Sequence, residues 1–312
     1  MAKYETKLKI ADVIIKMQSK FPLSRLSKSE EKSQVSERFD NFFYEGSQKS
    51  DILIDVNIVD ELPQSAGARD IFITTHFQDG SENWRLLKKG NTYIYKSPLE
   101  DKKQLMLVNI TFDKVTAYLL SKKGKDKTWQ ATELIYDFLQ VLLINYFARN
   151  NEGIFTHSIG VKDSDGKGLL FTGKSESGKS TTARLWHKHS KAMVLNDDRI
   201  IVRKIKNKFF IYGCPWHGEF SDYLTSRIES APIDKIFFIH HAPKNAARQV
   251  KSSEAFNLLY PALFPTFWDK KCLENISLFC LDLIKSAACY SLGFVNNKRI
   301  IEFVRKINAN IR

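Results

Sequence analysis

The chain has 312 residues, of which 43% are hydrophobic, so it is long enough to bury one large core or two moderate ones. Its formal net charge is +13 at pH 7, which favours acidic or phosphorylated partners. No apolar stretch is long enough to span a bilayer, and the first residues lack the apolar core of a signal peptide. The four cysteines form no C-x-x-C pair. We therefore expect a cytoplasmic protein with no membrane partner.

The positive charge does not by itself indicate a nucleic-acid partner. It is dispersed along the chain apart from one dense run at residues 122–127, which is typical of a solvated loop. Single-strand binders interleave basic and aromatic residues, and no such repeat is present. A nucleic-acid partner is not favoured, and a homo-oligomer is compatible with the sequence.

The first part of the chain has the pattern of a β-rich domain, which we place at residues 1–128. Residues 7–15 are interpreted as a first strand, with a short helix as the alternative. Alternating β-branched and polar residues then predict further strands, with a hairpin turn at Gly90-Asn91. The predicted strands cover residues 51–59, 70–76, 84–95, 105–112 and 114–120.

The second part, residues 129–312, mixes helices and strands, so the fold class is α+β. Residues 131–149 predict a helix that is apolar around most of its circumference, and residues 154–161 predict a strand. Later apolar runs predict strands at 192–195 and 231–240 and a hairpin turn at Lys206-Asn207. From residue 253 onward only helices are predicted, the last at 299–307.

The most informative stretch is the glycine loop, residues 173–180, which reads G-K-S-E-S-G-K-S and fits G-x-x-x-x-G-K-[ST]. Glycines at both ends permit close backbone approach, the lysine supplies a charge for outer phosphates, and the last serine can hold Mg²⁺. A buried strand is predicted before the loop and a helix after it, as the motif requires. The alternative is a Ser/Gly-rich surface loop. The predicted nucleotide contacts are Gly173, Ser175, Ser177, Gly178, Lys179, Ser180 and Thr181.

Paired carboxylates, Asp197 and Asp198, follow the short strand 192–195. A nucleotide enzyme needs a metal ligand and a proton acceptor at the end of such a strand, whereas a turn or a helix cap is the structural alternative. Because adjacent carboxylates repel, one is expected to be held ionised by Mg²⁺ while the other acts as base. Asp198, with Ser180, is the predicted magnesium ligand.

Residues 213–219 read G-C-P-W-H-G-E, a composition typical of a shaped loop, for which a turn around a buried tryptophan is the alternative. With His157, the glycine loop and Asn196-Asp197-Asp198, this loop completes a set of landmarks. Together they resemble the HPr serine kinase C-terminal domain superfamily, relatives of the phosphoenolpyruvate carboxykinase core. The branch they resemble comprises HPr-kinase-like proteins encoded near ribosomal-peptide modification genes, including lasso-peptide serine kinases. The similarity covers about residues 130–310.

The resemblance implies a carboxykinase-like core with C-terminal helices, ATP and Mg²⁺ as cofactors, and a peptide or small protein as acceptor. His157 matches the histidine that assists the catalytic Asp, and Lys179 the lysine that binds phosphate. Asp197 and Asp198 match the pair in which one residue lies near the metal and one is the base. Trp216, His217 and Glu219 are carried over as residues of a substrate loop.

Where HPr kinase/phosphorylases carry a glycine-rich signature, this chain has residues 213–219, so the resemblance extends neither to phosphorolysis nor to HPr as the acceptor. No oxaloacetate-site motif is present, which disfavours decarboxylation. The expected function is an ATP-dependent kinase acting on a Ser or similar hydroxyl. One alternative is a nucleotide-binding, non-catalytic module that presents a peptide. The other is a nucleic-acid-dependent ATPase, which has little beyond charge to favour it.

Overall fold

The computed structural model describes residues 4–24, 39–75, 80, 82–97, 104–120, 129–216, 218 and 227–307. They form two compact units, Met1–Tyr146 and Phe147–Arg312. The predicted domain boundary, after residue 128, lies outside the described residues. In the part of the chain that is described, no helix has both the length and the apolarity needed to cross a bilayer. The α+β class with a β-rich N-terminal region is confirmed.

The first unit contains strands β1 (Tyr4–Ile10), β2 (Val13–Ser19), β3 (Leu23–Ser24), β4 (Ile52–Val59), β5 (Arg69–Thr75), β6 (Glu82–Lys89), β7 (Thr92–Ser97), β8 (Gln104–Asn109), β9 (Lys114–Leu120) and β10 (Trp129–Gln130). Eight of them form one mixed sheet in the order β1-β2-β4-β9-β8-β7-β6-β5, and β10 pairs with β3. Strand β4 runs parallel to β2 and β9, and the other neighbours in the sheet are antiparallel. The predicted hairpin at Gly90-Asn91 is confirmed as β6–β7.

The prediction of a single strand over residues 7–15 is wrong, because the chain reverses within that stretch. Ala11 and Asp12 adopt φ values of 47° and 62°, the left-handed geometry that a two-residue type I′ hairpin turn requires. Strands β1 and β2 consequently pair in antiparallel register, with Ile10 opposite Val13. Leu8, Ile10 and Ile15 are fully buried on the pleated surface that results.

The strands of the second unit are β11 (Gly153–Lys162), β12 (Gly168–Thr172), β13 (Met193–Asn196), β14 (Arg199–Ile205), β15 (Lys208–Tyr212), β16 (Ser230–His241), β17 (Ala246–Gln249) and β18 (Ala288–Phe294). They form a mixed sheet in the order β12-β11-β14-β15-β16-β18-β17, in which β13 also pairs with β11 and β12 also pairs with β16. The helices are α1 (Ala131–Asn150), which begins in the first unit, α2 (Lys179–His189), α3 (Ser252–Leu259), α4 (Lys270–Ser286) and α5 (Arg299–Lys306).

The C-terminal helices are present as predicted, but the expectation that only helices follow residue 253 is wrong. Strand β18 lies between α4 and α5, where it runs parallel to β16 and antiparallel to β17. Its apolar side chains, among them Cys289 and Leu292, are buried. Burial on both faces explains the continuous apolar run, which does not alternate as a half-exposed strand would.

Two hydrophobic clusters cover opposite faces of this sheet, as the alternation along β12 shows. Leu170 belongs to the cluster that includes the apolar sides of α3 and α4. Leu169 and Phe171 belong to the cluster that includes α2 and α5. Successive residues of a strand point to opposite faces, so helices sandwich the sheet. All four cysteines are free and buried.

Candidate active site

Strand β11 joins two parts of the sheet, and its midpoint brings the candidate residues together. Its first half, up to His157, pairs with β14, and its second half pairs with β12 and β13. His157 lies opposite Arg199, and Ser158 lies opposite Thr172, the last residue before the glycine loop. The Ser158 amide donates a 3.0 Å hydrogen bond to the Asp198 carbonyl. This register places Asp198 beside the start of the glycine loop.

The glycine loop connects β12 to α2, so the predicted strand–loop–helix order is present. A Cβ on Gly173 would lie 2.5 Å from Ser177 Oγ and 2.8 Å from the Ile239 carbonyl. Gly178 has φ +93°, and a Cβ there would overlap the ring of Phe294. The close packing and the left-handed backbone therefore require glycine at both positions.

Lys179 is folded back into the glycine loop. It is only 8% exposed, and its Nζ donates hydrogen bonds of 2.9 Å to the carbonyls of Gly173 and Lys174. The Lys174 carbonyl also accepts from the Ser177 amide at 3.2 Å. Burial lowers the pKa of Lys179, and the negative charge of Asp198 opposes that shift. A bound anion would stabilise the charged form of Lys179, which burial disfavours.

The hydroxyls of the loop differ in their surroundings. Ser175 is exposed, whereas Ser180 and Thr181, in the first turn of α2, are partly buried. Ser177 Oγ is buried without a hydrogen-bond partner, as is Thr172 Oγ1 directly before the loop. Unsatisfied buried polar groups are rare in folded proteins and call for a partner. Together with the amides of the loop and Lys179 Nζ, they form a set of donors that fits a polyphosphate.

His157 and Asp198 form the pair that faces this loop. His157 Nε2 lies 2.8 Å from Asp198 Oδ1, and Arg199 Nε lies 3.6 Å from Asp198 Oδ2. Burial tends to raise the pKa of Asp198, but the hydrogen bond from His157 and the charges of Arg199 and Lys179 outweigh it, so the pKa lies below its usual range. Asp198 is consequently ionised at neutral pH.

Asn196 is the buried residue that fixes the backbone around the aspartates. It is 2% exposed, and its Oδ1 accepts from the amides of Asp198 and Arg199 at 3.0 and 3.1 Å. Its Nδ2 donates to the carbonyls of Cys214 and Trp216 at 3.1 and 3.0 Å. One amide side chain thus connects the acidic segment, residues 196–198, to the loop that begins at Gly213.

Asp197 has a different environment from its neighbour. It is 4% exposed, and its Oδ1 accepts a 3.0 Å hydrogen bond from the Gly218 amide. Trp216 is fully buried, with its ring centroid 6.0 Å from that of Phe155, so its side chain packs in the core beside the loop. Burial raises the pKa of the Cys214 thiol to about 12. His217 and Glu219, predicted to face the site, lie outside the described residues.

The protein side chains do not form a complete metal centre within the described ranges. No group of three or more His, Cys, Asp or Glu residues there could hold a metal ion. Mg²⁺ at nucleotide sites is usually held by one or two protein oxygens together with substrate phosphates. The predicted ligands Ser180 and Asp198 have the oxygen donors for that arrangement.

Sequence reasoning did not single out three residues that the structure brings to the site. Arg199 lies beside Asp198 and its guanidinium lies 5.7 Å from the ring centroid of Phe264. His241, at the end of β16, contacts the Glu176 carbonyl within the glycine loop. Phe294, at the end of β18, stacks on His241 at a centroid distance of 5.4 Å. For His241 and Phe294 the available signal was position, since ligand sites lie outside the carboxyl ends of parallel strands, and for Arg199 it was adjacency to Asp198 in the sequence.

The fold and site thus define an α+β protein in which a strand–glycine loop–helix unit lies beside a His–Asp pair. No protein-family model matches the chain, and no curated relative was found. Among solved structures, the chain is similar to the HPr(Ser) kinase/phosphatase from Coxiella burnetii. The identity is 14%, the match covers 31% of this chain and 70% of that one, and the TM-score is 0.22. A similarity this weak carries no argument about activity.

Proposed function

We propose that this protein is a kinase that transfers the γ-phosphoryl group of ATP to a Ser or similar hydroxyl of a peptide or small protein. The observation that carries the proposal is the position of the His157–Asp198 pair. The register of β11 brings it to the start of the glycine loop, where the charges of Asp198 and Lys179 interact. A phosphate-holding loop facing an ionised carboxylate is the arrangement that phosphoryl transfer to a hydroxyl requires.

On the donor side, the glycine loop would hold the phosphates of ATP. Its amides and Lys179 Nζ supply the hydrogen-bond donors, and Lys179 would exchange its two loop carbonyls for phosphate oxygens. The loop leads directly into α2, whose N-terminal dipole favours an anion. Ser180, in the first turn, would hold Mg²⁺, which supplies charge neutralisation at the outer phosphates when bound.

On the acceptor side, Asp198 would accept the proton of the attacking hydroxyl while His157 keeps its carboxylate oriented. The lowered pKa keeps Asp198 ionised, and a loose transition state requires positioning more than strong basicity. Asp197 would hold the Gly213 loop through the Gly218 amide. Contact of Asp198 with magnesium stays a prediction, which the magnesium dependence of Asp198→Asn tests.

The acceptor is proposed on chemical grounds. A net charge of +13 favours recruitment of an acidic peptide or small protein. The sequence resemblance to kinases of peptide-modification systems supports a precursor peptide as the first acceptor to test.

The test is incubation with ATP, Mg²⁺ and the peptide products of neighbouring genes, followed by intact-mass detection of a phosphate adduct. Lys179→Ala should lose transfer by about 10²–10³-fold, because the transition-state charge loses its main cation. Lys188→Ala is the matched control, since Lys188 is an exposed lysine in the last turn of the same helix. Full transfer by Lys179→Ala would refute the assignment of the loop. ATP binding with no phosphorylated product from any acceptor would favour the non-catalytic module.

A further inference from the structure

The glycine loop has an unusual conformation at its tip. Glu176 has φ +62°, a left-handed geometry that costs a residue with a Cβ about 1–2 kcal/mol. Its side chain is exposed, so packing of that side chain does not compensate. The peptide unit that follows Glu176 is held within the loop by the Ser177 amide, which donates to the Lys174 carbonyl, and contacts from outside the loop support it as well.

One such contact comes from His241, at the carboxyl end of β16. Its Nε2 lies 3.0 Å from the Glu176 carbonyl oxygen, so the ring donates from Nε2. The ring itself is stacked on Phe294, with a centroid distance of 5.4 Å and an interplanar angle of 30°. Phe294 in turn fills the space beside Gly178. The ends of two neighbouring parallel strands thus support the loop at two points.

The hydrogen bond from His241 also fixes the direction of the N–H on the opposite side of the same peptide unit. In a trans peptide the carbonyl and the following N–H point in opposite directions. When His241 holds the Glu176 carbonyl, the Ser177 N–H points away from His241. It points to the Lys174 carbonyl, at 3.2 Å, and that carbonyl also accepts from Lys179 Nζ. His241 therefore orients an amide toward the group that a bound phosphate would replace.

We propose that His241 is a positioning residue for polyphosphate binding: its hydrogen bond to the Glu176 carbonyl keeps the Ser177 amide directed into the glycine loop. This inference rests on the proposed function for its ligand, but the amide orientation itself does not. His241 acts through the loop backbone and does not touch the phosphates.

The chain offers a matched control in His240. It is the preceding residue of β16 and is also exposed, and because side chains alternate along a strand it points to the other face. His241→Ala and His240→Ala remove the same ring from adjacent exposed positions. His241→Gln tests rescue, since its side-chain amide supplies a donor in place of Nε2.

The first measurement is hydrogen exchange of the loop amides without nucleotide. His241→Ala should exchange the Ser177 amide about fivefold to tenfold faster than the wild type, the effect of losing one ordinary hydrogen bond. His240→Ala should leave it unchanged, and His241→Gln should recover part of the protection. Unchanged exchange in His241→Ala would overturn the proposal whether or not the protein is a kinase.

The second measurement is calorimetric binding of ATP and of inorganic tripolyphosphate. His241→Ala should weaken both by the same factor, about fivefold to tenfold, and raise KM for ATP with little change in kcat. A loss confined to ATP would mean that His241 contacts the base or ribose, which would overturn the proposal. Weakened binding in a protein that transfers no phosphate would support this inference while the kinase assignment fails.

Discussion

The glycine loop and the acidic segment lie side by side at the midpoint of β11, yet they are held in opposite ways. The loop is held by backbone carbonyls, the folded-back Lys179 and the exposed His241. The acidic segment is held by the buried side chain of Asn196, which makes four hydrogen bonds to backbone groups. Contacts of the first kind can be exchanged for a ligand, whereas those of the second kind cannot be broken without leaving buried polar groups unsatisfied. The glycine loop is thus adaptable, and the acidic segment is fixed.

The largest expected effect comes from a substitution in the acidic segment that leaves the glycine loop unchanged. Asp198→Asn should lower kcat by about 10²–10⁴-fold, because the proposed reaction loses its proton acceptor, and should leave the affinity for ATP measured without Mg²⁺ within about threefold. Rapid-quench transfer assays and calorimetry measure the two quantities. Asp197→Asn is the control for a carboxylate at the adjacent position, and its effect should appear mainly as a loss of stability. Equal losses of kcat in the two variants would contradict the distinct roles.

Asn196→Ala should destabilise the acidic segment. It leaves two carbonyls and two amides without their partner, so we expect the free energy of unfolding to fall by about 2–4 kcal/mol. Chemical denaturation measures that loss, and kcat should fall in the fraction that remains folded. Asn196→Asp retains the acceptor oxygen but not the donor, and should be intermediate. A wild-type denaturation midpoint in Asn196→Ala would show that the segment is not held as described.

The pair His157–Asp198 should give a stability difference that depends on pH. The pKa of Asp198 is lowered in the folded protein, so its contribution is present above the unfolded value of about 3.9 and is lost as pH falls through the folded value. His157→Ala removes the hydrogen bond that lowers this pKa. The wild type should therefore be more stable than the variant at pH 7, and the difference should shrink below about pH 4. A difference that grows with acidity would have the wrong sign.

The smallest expected effect is at the tip of the glycine loop. Glu176→Gly removes the Cβ from a left-handed position, so we expect the free energy of unfolding to rise by about 0.5–1 kcal/mol. It should also reduce the effect of His241→Ala on exchange of the Ser177 amide, because a relaxed tip needs less support. Thermal denaturation and hydrogen exchange measure these outcomes. A destabilised Glu176→Gly would indicate that the glutamate side chain matters more than its backbone geometry.

Much of the secondary structure could be predicted from local sequence patterns, and the wrong predictions have local causes as well. The hairpin at Lys206-Asn207 was predicted because a polar pair separates two runs rich in β-branched and aromatic residues. The hairpin turn at Ala11-Asp12 was missed because Ala11 does not favour positive φ and no glycine follows Asp12, so the apolar runs on both sides were interpreted as one strand. Strand β18 was missed because its apolar run is short and lies between helices, where period alone does not distinguish a buried strand from a helix.

The site was predictable in part, for a similar reason. The spacing of the glycine-loop motif predicted a strand before the loop and a helix after it, because both elements depend on residues that are close in sequence. The bond from His241 to Glu176 joins residues 65 positions apart, and the register of β16 against β12 decides it. No local pattern contains that register. The same holds for Asn196, whose partners Cys214 and Trp216 are brought to it by folding.

The buried cysteines make this protein suitable for site-specific labelling. All four are buried, and burial raises the thiol pKa to about 11 for Cys272 and about 12 for the other three. Alkylating reagents attack the thiolate, so the native thiols should be inert in the folded protein at neutral pH. A single cysteine at the exposed position of Lys174, whose side chain is not among the predicted nucleotide contacts, would carry a fluorophore on the glycine loop without further substitutions. Its emission would report occupation of the loop in real time.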